Sequence, residues 1–298
     1  MRKILVLRGG ALGDFILTLP ALATLRRHWH TARIELAGNA TAAVLALDAG
    51  LLDAAHSQHE ARWSALFGVA PLPSEFAAWL ATFDLVLNFW PDPDGEIARR
   101  FPLTPAQTFL SAPAQPTLRP AAAHYCEPLR ALGLAVGSHF VPLALRDAPT
   151  APPGRLTIAV HPGSGSAQKN WPLDRWRALC DWLKSDLHAD LHVITGEAEP
   201  AATHDLAQFG SAAHALPLRD LAALLARSRL FVGHDSGVSH LAAACGAPSV
   251  LLFGPTDPSM WAPPAPHVRI VSAGPTLPAI TVQRVQGEIL AALGMTLA

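Results

Sequence analysis

Short apolar runs alternate with longer segments rich in alanine and leucine along most of the chain. Runs of this kind are typical of strands buried on both faces, as in parallel sheets covered by helices. The pattern therefore predicts an α/β protein with doubly wound parallel sheets. The predicted strands are residues 3–8, 32–38, 83–90, 156–163, 191–196, 212–217, 230–235, 249–254 and 268–273.

The segments between these strands are predicted to be helices. In the first of them, Leu17, Ala21 and Leu25 recur at helical spacing. Gly50 and Gly133 follow two others, and glycine commonly ends a helix. The predicted helices are residues 14–28, 41–50, 124–133, 172–185, 198–209, 218–228, 238–246 and 278–294.

The chain has 298 residues, more than a single hydrophobic core usually serves, so two domains are expected. The proline-rich stretch 145–154 reads as a linker between them. We predict domains at residues 1–150 and 151–298. In open parallel sheets ligands bind at the carboxyl ends of the strands, so the loops that follow the strands are where a site is expected.

The composition and the net charge exclude some classes of function. Half of the chain is apolar, 15% is charged and the net charge is −1, which argues against a nucleic-acid-binding protein.

The apolar run at residues 4–7 is too short for a signal peptide, and no apolar window is long enough to span a membrane, so a cytoplasmic location is expected. The 14 histidines are scattered, and no metal site is expected. Cys126, Cys180 and Cys245 are far apart and are expected to be buried, reduced thiols.

The first strand is followed by the glycine-rich stretch "RGGALGDFILTLPAL", residues 8–22. Gly10 and Gly13 would let the backbone turn sharply beside a ligand, and the helix N-terminus would favour an anion. A nicotinamide fingerprint is incomplete, because Arg8 stands where glycine is required and Glu35 lies in mid-strand. Asp14 is either a first-turn helix acid or a carboxylate that accepts a proton from a hydroxyl, and the two roles are compatible.

Two loops in the second half carry candidate chemistry. "HPGSGSAQKNWP", residues 161–172, contains Lys169, either a solvated surface residue or the cation that a phosphoryl group needs. "GHDSGVSHLAAACGAP", residues 233–248, lies between a strand and a helix, where hydroxyls and free N–H groups suit an anion. Its Asp235 could also be an ordinary helix cap.

Three further stretches contain candidate binding residues. Glu197 in "ITGEAEP" is either a ribose ligand or a solvated acid at a helix start. Thr256 lies in the turn "FGPTDPSMW", a candidate phosphate-proximal loop. Asp92 and Asp94 in "PDPDGE" are interpreted as a loop, with contact to an acceptor as the alternative.

Together, "RGGALGDFILTLPAL", "HPGSGSAQKNWP", "ITGE" and "GHDSGVSHLAAACGAPSVLLFGPTDP" resemble, in this order, the bacterial heptosyltransferase family, glycosyltransferase family 9. The resemblance implies a GT-B fold, with two Rossmann-like domains that face each other across a cleft. The C-terminal domain would hold a nucleotide-sugar donor and the N-terminal domain an acceptor. The activity would be inverting and metal-independent: transfer from an ADP-sugar, typically ADP-heptose, to a hydroxyl of a lipid-linked saccharide of the lipopolysaccharide core, without a cofactor.

The resemblance also implies roles for residues at matching positions. Asp14 would be the general base, and Gly10 and Gly13 would belong to the acceptor or phosphate loop. Lys169 would stabilise the charge that develops on the leaving diphosphate. Thr256 would be a weaker candidate for the donor site.

The remaining donor residues lie in "GHDSGVSHLAAACGAPSVLLFGPTDP" and in "ITGE". Ser236, Gly237 and His240 would cradle the diphosphate at a helix N-terminus. Asp235 would orient the donor sugar, and Glu197 would bind ribose.

Some points differ from this pattern. Residues 56–120 contain no basic cluster beyond Arg99, Arg100 and Arg119, although acceptors in the lipopolysaccharide core are commonly anionic, so the acceptor and the donor sugar stay open. The aromatic residues Trp63, Phe67, Phe76 and Trp79 are either ordinary core or a surface for peripheral contact with the inner membrane.

Three other functions stay open. On the same scaffold the chain could be a nucleotide-sugar epimerase or hydrolase, or a non-catalytic nucleotide-sugar binding protein. A nicotinamide oxidoreductase is a more distant alternative, because its fingerprint is incomplete.

Overall fold

A computed structural model describes residues 1–143, 154–196 and 201–295. The chain divides into two compact units, Met1–Val141 and Pro142–Ala298. The predicted boundary between residues 150 and 151 falls in a stretch outside the described residues, as does most of the predicted linker, so that boundary stays a prediction.

In the described part of unit 1, five parallel strands form a sheet in the order β3-β2-β1-β4-β5. The apolar runs predict β1, β2 and β4. They miss the two edge strands, which are short and only partly buried and therefore lack a continuous apolar run. The strands are β1 (Lys3–Arg8), β2 (Arg33–Gly38), β3 (Ala54–Ser57), β4 (Leu85–Asn88) and β5 (Thr108–Ser111).

Proline accounts for two differences in the helices of unit 1. The predicted helix 14–28 is two helices, because Pro20 has no N–H to bond the carbonyl of Ile16 and lies in the first turn of the second helix. The predicted helix 124–133 becomes a 3-10 helix after Cys126, with Pro128 in its first turn. The helices are α1 (Leu12–Ile16), α2 (Leu19–His28), α3 (Ala40–Asp48), α4 (Ser74–Leu80), α5 (Glu96–Arg100) and α6 (Ala121–Cys126), with 3-10 helices at Ala61–Phe67 and Glu127–Leu132.

In unit 2 the described strands form a six-stranded parallel sheet in the order β11-β10-β9-β6-β7-β8. The apolar runs predict each of them, since the central strands are buried along their whole length. The strands are β6 (Thr157–His161), β7 (Asp190–Thr195), β8 (Ser211–His214), β9 (Leu230–His234), β10 (Ser249–Phe253) and β11 (Val268–Ser272).

The helices of unit 2 differ from the prediction at three places. A short α-helix, Pro258–Trp261, lies in the stretch 253–261 that was predicted as a turn. The described part of the predicted helix 198–209 is a 3-10 helix, and its Thr-His-Asp sequence has low intrinsic α-helix propensity. The last α-helix begins at Val282 instead of 278, because the side chain of Thr281 accepts the backbone N–H of Arg284 and caps it there. The helices are α7 (Leu173–Ser185), α8 (Leu218–Arg227), α9 (Gly237–Ala244), α10 (Pro258–Trp261) and α11 (Val282–Leu293), with 3-10 helices at Ala167–Lys169, Ala201–Phe209 and Leu277–Ala279.

The strand orders identify where each unit can bind a ligand. In unit 1 the chain moves outward from β1 to β3 and then returns to β4 on the other side of β1. In unit 2 it moves outward from β6 to β8 and returns to β9, which pairs with β6. Ligands of doubly wound sheets bind outside the carboxyl ends of the strands at such switch points. The loops after β1, β6 and β9 therefore lie at the expected sites.

The aromatic residues of unit 1 mostly belong to its core. Trp63 and Phe76 are buried, and Trp79 packs on both, with ring centroids 5.8 and 5.9 Å away. Phe67 is 54% exposed. Three of the four residues therefore follow the core interpretation.

The three cysteines lie in buried or half-buried positions, in agreement with the expectation from the sequence. Cys126 and Cys180 are buried and Cys245 is half-buried, and all three are free thiols whose pKa burial raises to about 12. Among the described residues, we find no helix with the length and apolar character needed to cross a bilayer.

Candidate functional site

The loop after β1 holds Asp14 close to the backbone. Gly10 has φ +100°, and a Cβ at this position would lie 2.7 Å from Oδ2 of Asp14, so only glycine fits here. The same Oδ2 accepts the backbone N–H of Ala11 at 3.0 Å. Asp14 is thus a first-turn acid of α1, as one of the two readings of the sequence has it, and Gly13 precedes it in the same turn.

A buried cation fixes the other oxygen of this carboxylate. Nη2 of Arg8 lies 3.2 Å from Oδ1 of Asp14, and Nε of Arg8 donates to Oγ1 of Thr18 at 3.2 Å. The guanidinium group also stacks over the ring of Tyr125, 4.3 Å from its centroid. Arg8 is 4% exposed, whereas the Asp14 side chain is 35% exposed. Solvent therefore reaches the carboxylate and not its partner.

The loop after β6 presents Lys169. Oγ of Ser164 donates to Oδ1 of Asn170 at 2.7 Å and closes the loop on itself. Lys169 ends the short 3-10 helix within it, and its Nζ donates to Oδ2 of Asp235 at 2.8 Å. The lysine side chain is 31% exposed and the aspartate 10%. Here the more exposed member of the ion pair is the cation.

Next to this pair, helix α9 begins. Ser236 is its N-cap, and its Oγ accepts the backbone N–H of Ser239 at 3.4 Å and lies 3.3 Å from Nδ1 of His161. Gly237 is the first helical residue, and His240 is buried in the first turn. The first turn of a helix offers backbone N–H groups and a partial positive charge, so this end of α9 can hold an anion.

His234, the last residue of β9, connects the two loops. It is completely buried, and its Nε2 accepts the backbone N–H of Trp171 at 2.9 Å. Burial, with a smaller contribution from His161, lowers the pKa of His234 to about 3. The ring is therefore neutral, and the proton lies on Nδ1, which faces the carbonyl oxygen of Gly163 at 3.4 Å.

The remaining candidates are Thr256, Asp92 and Glu197. Oγ1 of Thr256 is buried and has no hydrogen-bond partner in the part of the chain that the structure describes. Asp92 accepts the backbone N–H groups of Ile97 and Ala98 and caps α5, in agreement with its interpretation as part of a loop. Glu197 lies outside the described residues.

Two groups of candidates result, one in each unit. Unit 1 brings Gly10, Gly13 and Asp14 together after β1. Unit 2 brings together Lys169, Asp235, Ser236 and Gly237 where β6 and β9 lie side by side. No group of three or more His, Cys, Asp or Glu side chains within residues 1–143, 154–196 and 201–295 is arranged to hold a metal ion.

Sequence reasoning missed the residues that hold these groups in place. The sequence marks Arg8 only as a departure from a glycine motif, and it gives His161 and His234 no role of their own. Each is a polar residue at the carboxyl end of a buried strand, and this position was the available signal.

The model of glycosyltransferase family 9 (heptosyltransferase) matches residues 140–288, half of the chain and nearly all of unit 2. The chain belongs to glycosyltransferase family 9. It is 30% identical over 140 residues to lipopolysaccharide heptosyltransferase 1 of Escherichia coli K12. That match covers 46% of this chain and 42% of the relative, so less than half of the relative's length is compared.

Two solved structures extend the likeness to both units of the family 9 chain. A glycosyl transferase family 9 protein from Veillonella parvula DSM 2008 is 20% identical and superposes with a TM-score of 0.79 over 98% of this chain and 97% of its own. The E. coli heptosyltransferase WaaC with ADP is 19% identical, with a TM-score of 0.74 over 97% of this chain and 99% of its own. The predicted fold class, GT-B with two Rossmann-like doubly wound domains, is confirmed.

Proposed function

We propose that this family 9 protein is an inverting, metal-independent glycosyltransferase. It moves a heptose, or a related sugar, from an ADP-sugar to a hydroxyl of the lipopolysaccharide core or of another saccharide. The observation that carries the proposal is the ion pair of Lys169 and Asp235 beside the N-terminus of α9, at the switch point of unit 2. The sequence similarity to a lipopolysaccharide heptosyltransferase supports the choice of sugar, and the ADP in the WaaC structure supports the choice of nucleotide.

On the donor side, unit 2 supplies positive charge for a diphosphate. Lys169 is a third exposed, so Nζ can contact a phosphate oxygen while Asp235 holds its side chain in place. Ser236, Gly237 and His240 would surround the diphosphate at the start of α9, where N–H groups already point outward. These groups need no rearrangement when negative charge builds up on the leaving diphosphate. Hydrogen-bond donors that are already in place stabilise this charge in the transition state and so lower the barrier to transfer. We assign this role to them in place of a metal ion.

The donor sugar and the nucleoside need further contacts. Asp235 would orient the sugar through the oxygen that does not face Lys169. We assign Glu197 to the ribose hydroxyls, and Thr256, with its unpartnered hydroxyl, to a weaker contact with the donor.

On the acceptor side, unit 1 supplies the base. As the acceptor oxygen forms its bond to the anomeric carbon, the bond from that carbon to the diphosphate oxygen breaks and ADP leaves. The hydroxyl proton passes to Asp14, whose carboxylate is held by Arg8 and by the N–H of Ala11. Gly10 and Gly13 allow the backbone to approach the acceptor. Attack opposite the leaving group inverts the configuration of the anomeric carbon.

Because the proposed acceptor is lipid-linked, we assign the protein to the cytoplasm, with peripheral contact at the inner face of the cytoplasmic membrane. Phe67 and Val69 are exposed apolar residues of unit 1 and are the candidates for that contact. No nucleic-acid partner is proposed, in line with the net charge of −1.

Calorimetric titration tests the donor assignment. The purified protein is titrated with ADP, UDP, GDP and NAD in the presence of EDTA, and the ADP titration is repeated with Mg²⁺. We expect selective binding of ADP that is the same with and without Mg²⁺. Preference for UDP or GDP would replace the donor, binding that requires Mg²⁺ would contradict metal independence, and binding of NAD alone would overturn the function.

A further inference from the structure

Two short links join the loop after β6 to the end of β9. Lys169 bonds Asp235 at 2.8 Å through side chains, and the N–H of Trp171 bonds Nε2 of His234 at 2.9 Å. The two loop residues are two positions apart, and the two strand-end residues are adjacent. The links therefore run side by side between the same two segments.

His234 also contacts the other end of this loop. Its Nδ1 faces the carbonyl oxygen of Gly163 at 3.4 Å, so a single ring bonds the backbone at both Gly163 and Trp171. The ring packs against Trp176 of α7 in a T-shaped arrangement, with centroids 5.3 Å apart and the planes at 84°. The loop between these points contains only one short 3-10 helix, so its path depends on contacts of this kind.

Filling the space at position 234 does not by itself require an imidazole ring. Burying its two polar nitrogens is unfavourable unless both are hydrogen-bonded, and an apolar side chain would fill the space without that requirement. What the ring adds is direction: one nitrogen accepts from the loop and the other donates to it.

We propose that His234 is a positioning residue that fixes the loop 162–171 on the end of β9 and thereby sets Lys169 beside Asp235. It does not touch the substrate. Its effect reaches the donor phosphate through Lys169, so the inference rests on the proposed donor site and deepens it. The neutral ring found above, with its pKa lowered to about 3, keeps this arrangement unchanged across the physiological pH range.

A double-mutant cycle on ADP affinity tests the inference. His234→Phe removes both hydrogen bonds and keeps an aromatic ring, and we expect it to raise the Kd for ADP about tenfold. In the Lys169→Ala background the same change should have little further effect, because the cation it positions is already absent. Equal effects in the two backgrounds would show that His234 acts on the fold in general and would overturn the inference.

Two further variants provide controls. His234→Gln keeps an acceptor near the position of Nε2 and should retain most of the affinity, whereas a loss as large as that of His234→Phe would count against the hydrogen bond to Trp171. His192→Phe changes a half-buried histidine on β7 whose pKa burial also lowers, and the Kd should not move.

Unmodified protein gives a readout that does not depend on the stability of any variant. Exchange of the Trp171 amide hydrogen should be much slower than exchange of the loop amides at Gly165 and Gln168, and rapid exchange would contradict the inference. If Lys169→Ala itself leaves the Kd for ADP unchanged, the proposed donor site fails. If Lys169→Ala weakens binding and His234→Phe does not, only the role of His234 fails.

Discussion

The loops after β1 and after β6 each contribute to an ion pair at the switch point of a sheet. The buried partner is the cation in one pair and the acid in the other. In unit 1 the cation, Arg8, is 4% exposed and the acid, Asp14, is 35% exposed. In unit 2 the acid, Asp235, is 10% exposed and the cation, Lys169, is 31% exposed. Each unit therefore presents one charge to solvent and buries the charge that holds it.

This difference matches the chemistry proposed for each unit. A partly exposed carboxylate can accept a proton from a hydroxyl, and a partly exposed ammonium can bind a phosphate oxygen. The two units are therefore predicted to respond differently when these residues are changed.

The largest effect is expected at Asp14. Asp14→Asn removes the base and keeps the size of the side chain, so the turnover number for transfer from ADP-heptose to a lipopolysaccharide acceptor should fall about 10²–10⁴-fold. The rate of ADP release in the presence of acceptor measures this. Asp181→Asn, on an exposed position of α7, is the matched control and should leave the rate unchanged. A normal rate for Asp14→Asn would remove Asp14 from the mechanism.

The next largest effect is expected at Lys169. Lys169→Ala removes a charge-assisted hydrogen bond to the diphosphate, which should raise the Kd for ADP about 10–100-fold. Calorimetry measures the change, and Lys169→Arg should recover part of it because the charge remains. Lys184→Ala, on the exposed end of α7, is the control. Equal affinities in Lys169→Ala and wild type would contradict the donor assignment.

Acid should destabilise unit 2 at a higher pH than unit 1. His234 has a pKa of about 3 when folded and 6.5 when unfolded, so the unfolded chain takes up a proton that the folded chain does not. The free energy of unfolding should therefore fall as the pH drops below 6.5, by about 1 kcal/mol per pH unit, until the folded pKa is reached. In urea unfolding between pH 7 and 5, His234→Gln should show a weaker pH dependence than wild type.

Unit 1 differs because the described groups whose pKa is lowered there are carboxylates. Burial opposes ionisation of Glu35, but hydrogen bonds from His56 and Arg33 outweigh it and lower the pKa of this carboxyl group. Its stabilising contribution is present above the unfolded value of 4.5 and is lost as the pH falls through the lower, folded value. A fall in stability between pH 7 and 5 that is unchanged by His234→Gln would contradict the contrast between the units.

The smallest effect is expected from the helix caps. Ser236 caps α9 in unit 2 and Asn39 caps α3 in unit 1, each by accepting a backbone N–H three residues on. Ser236→Ala and Asn39→Ala should each lower the free energy of unfolding by about 1 kcal/mol. Only Ser236→Ala should also weaken ADP binding. Weaker binding in both variants would mean that loss of stability alone explains the effect.

Much of the fold could be predicted from the sequence because central parallel strands must be apolar on both faces, and this requirement identifies the central strands of both sheets. The edge strands β8 and β11 could be predicted as well, because each overlaps a short apolar run. The short strands β3 and β5 escaped because an edge position needs no apolar run. The break before α2 coincides with Pro20, whereas the helical spacing on either side of this proline predicts one continuous helix.

The candidate site could be predicted only in part, for a similar reason. Asp14 and Asp235 stand next to glycine or serine, and Lys169 lies in a stretch rich in glycine and serine, so the sequence itself marks these three residues as candidates. Arg8 and His234 depend on partners far away in the chain: Tyr125 stacks on Arg8, and Trp171 bonds His234 across 63 residues. No local pattern encodes such pairs, because folding of each unit creates them.

The measurement that tests the account most directly is the Kd for ADP in Asp14→Asn and Lys169→Ala, determined side by side without added metal. The proposed division between the units predicts an unchanged Kd in Asp14→Asn and a Kd raised about 10–100-fold in Lys169→Ala. A raised Kd in Asp14→Asn together with an unchanged Kd in Lys169→Ala would contradict the account, because the nucleotide would then depend on unit 1.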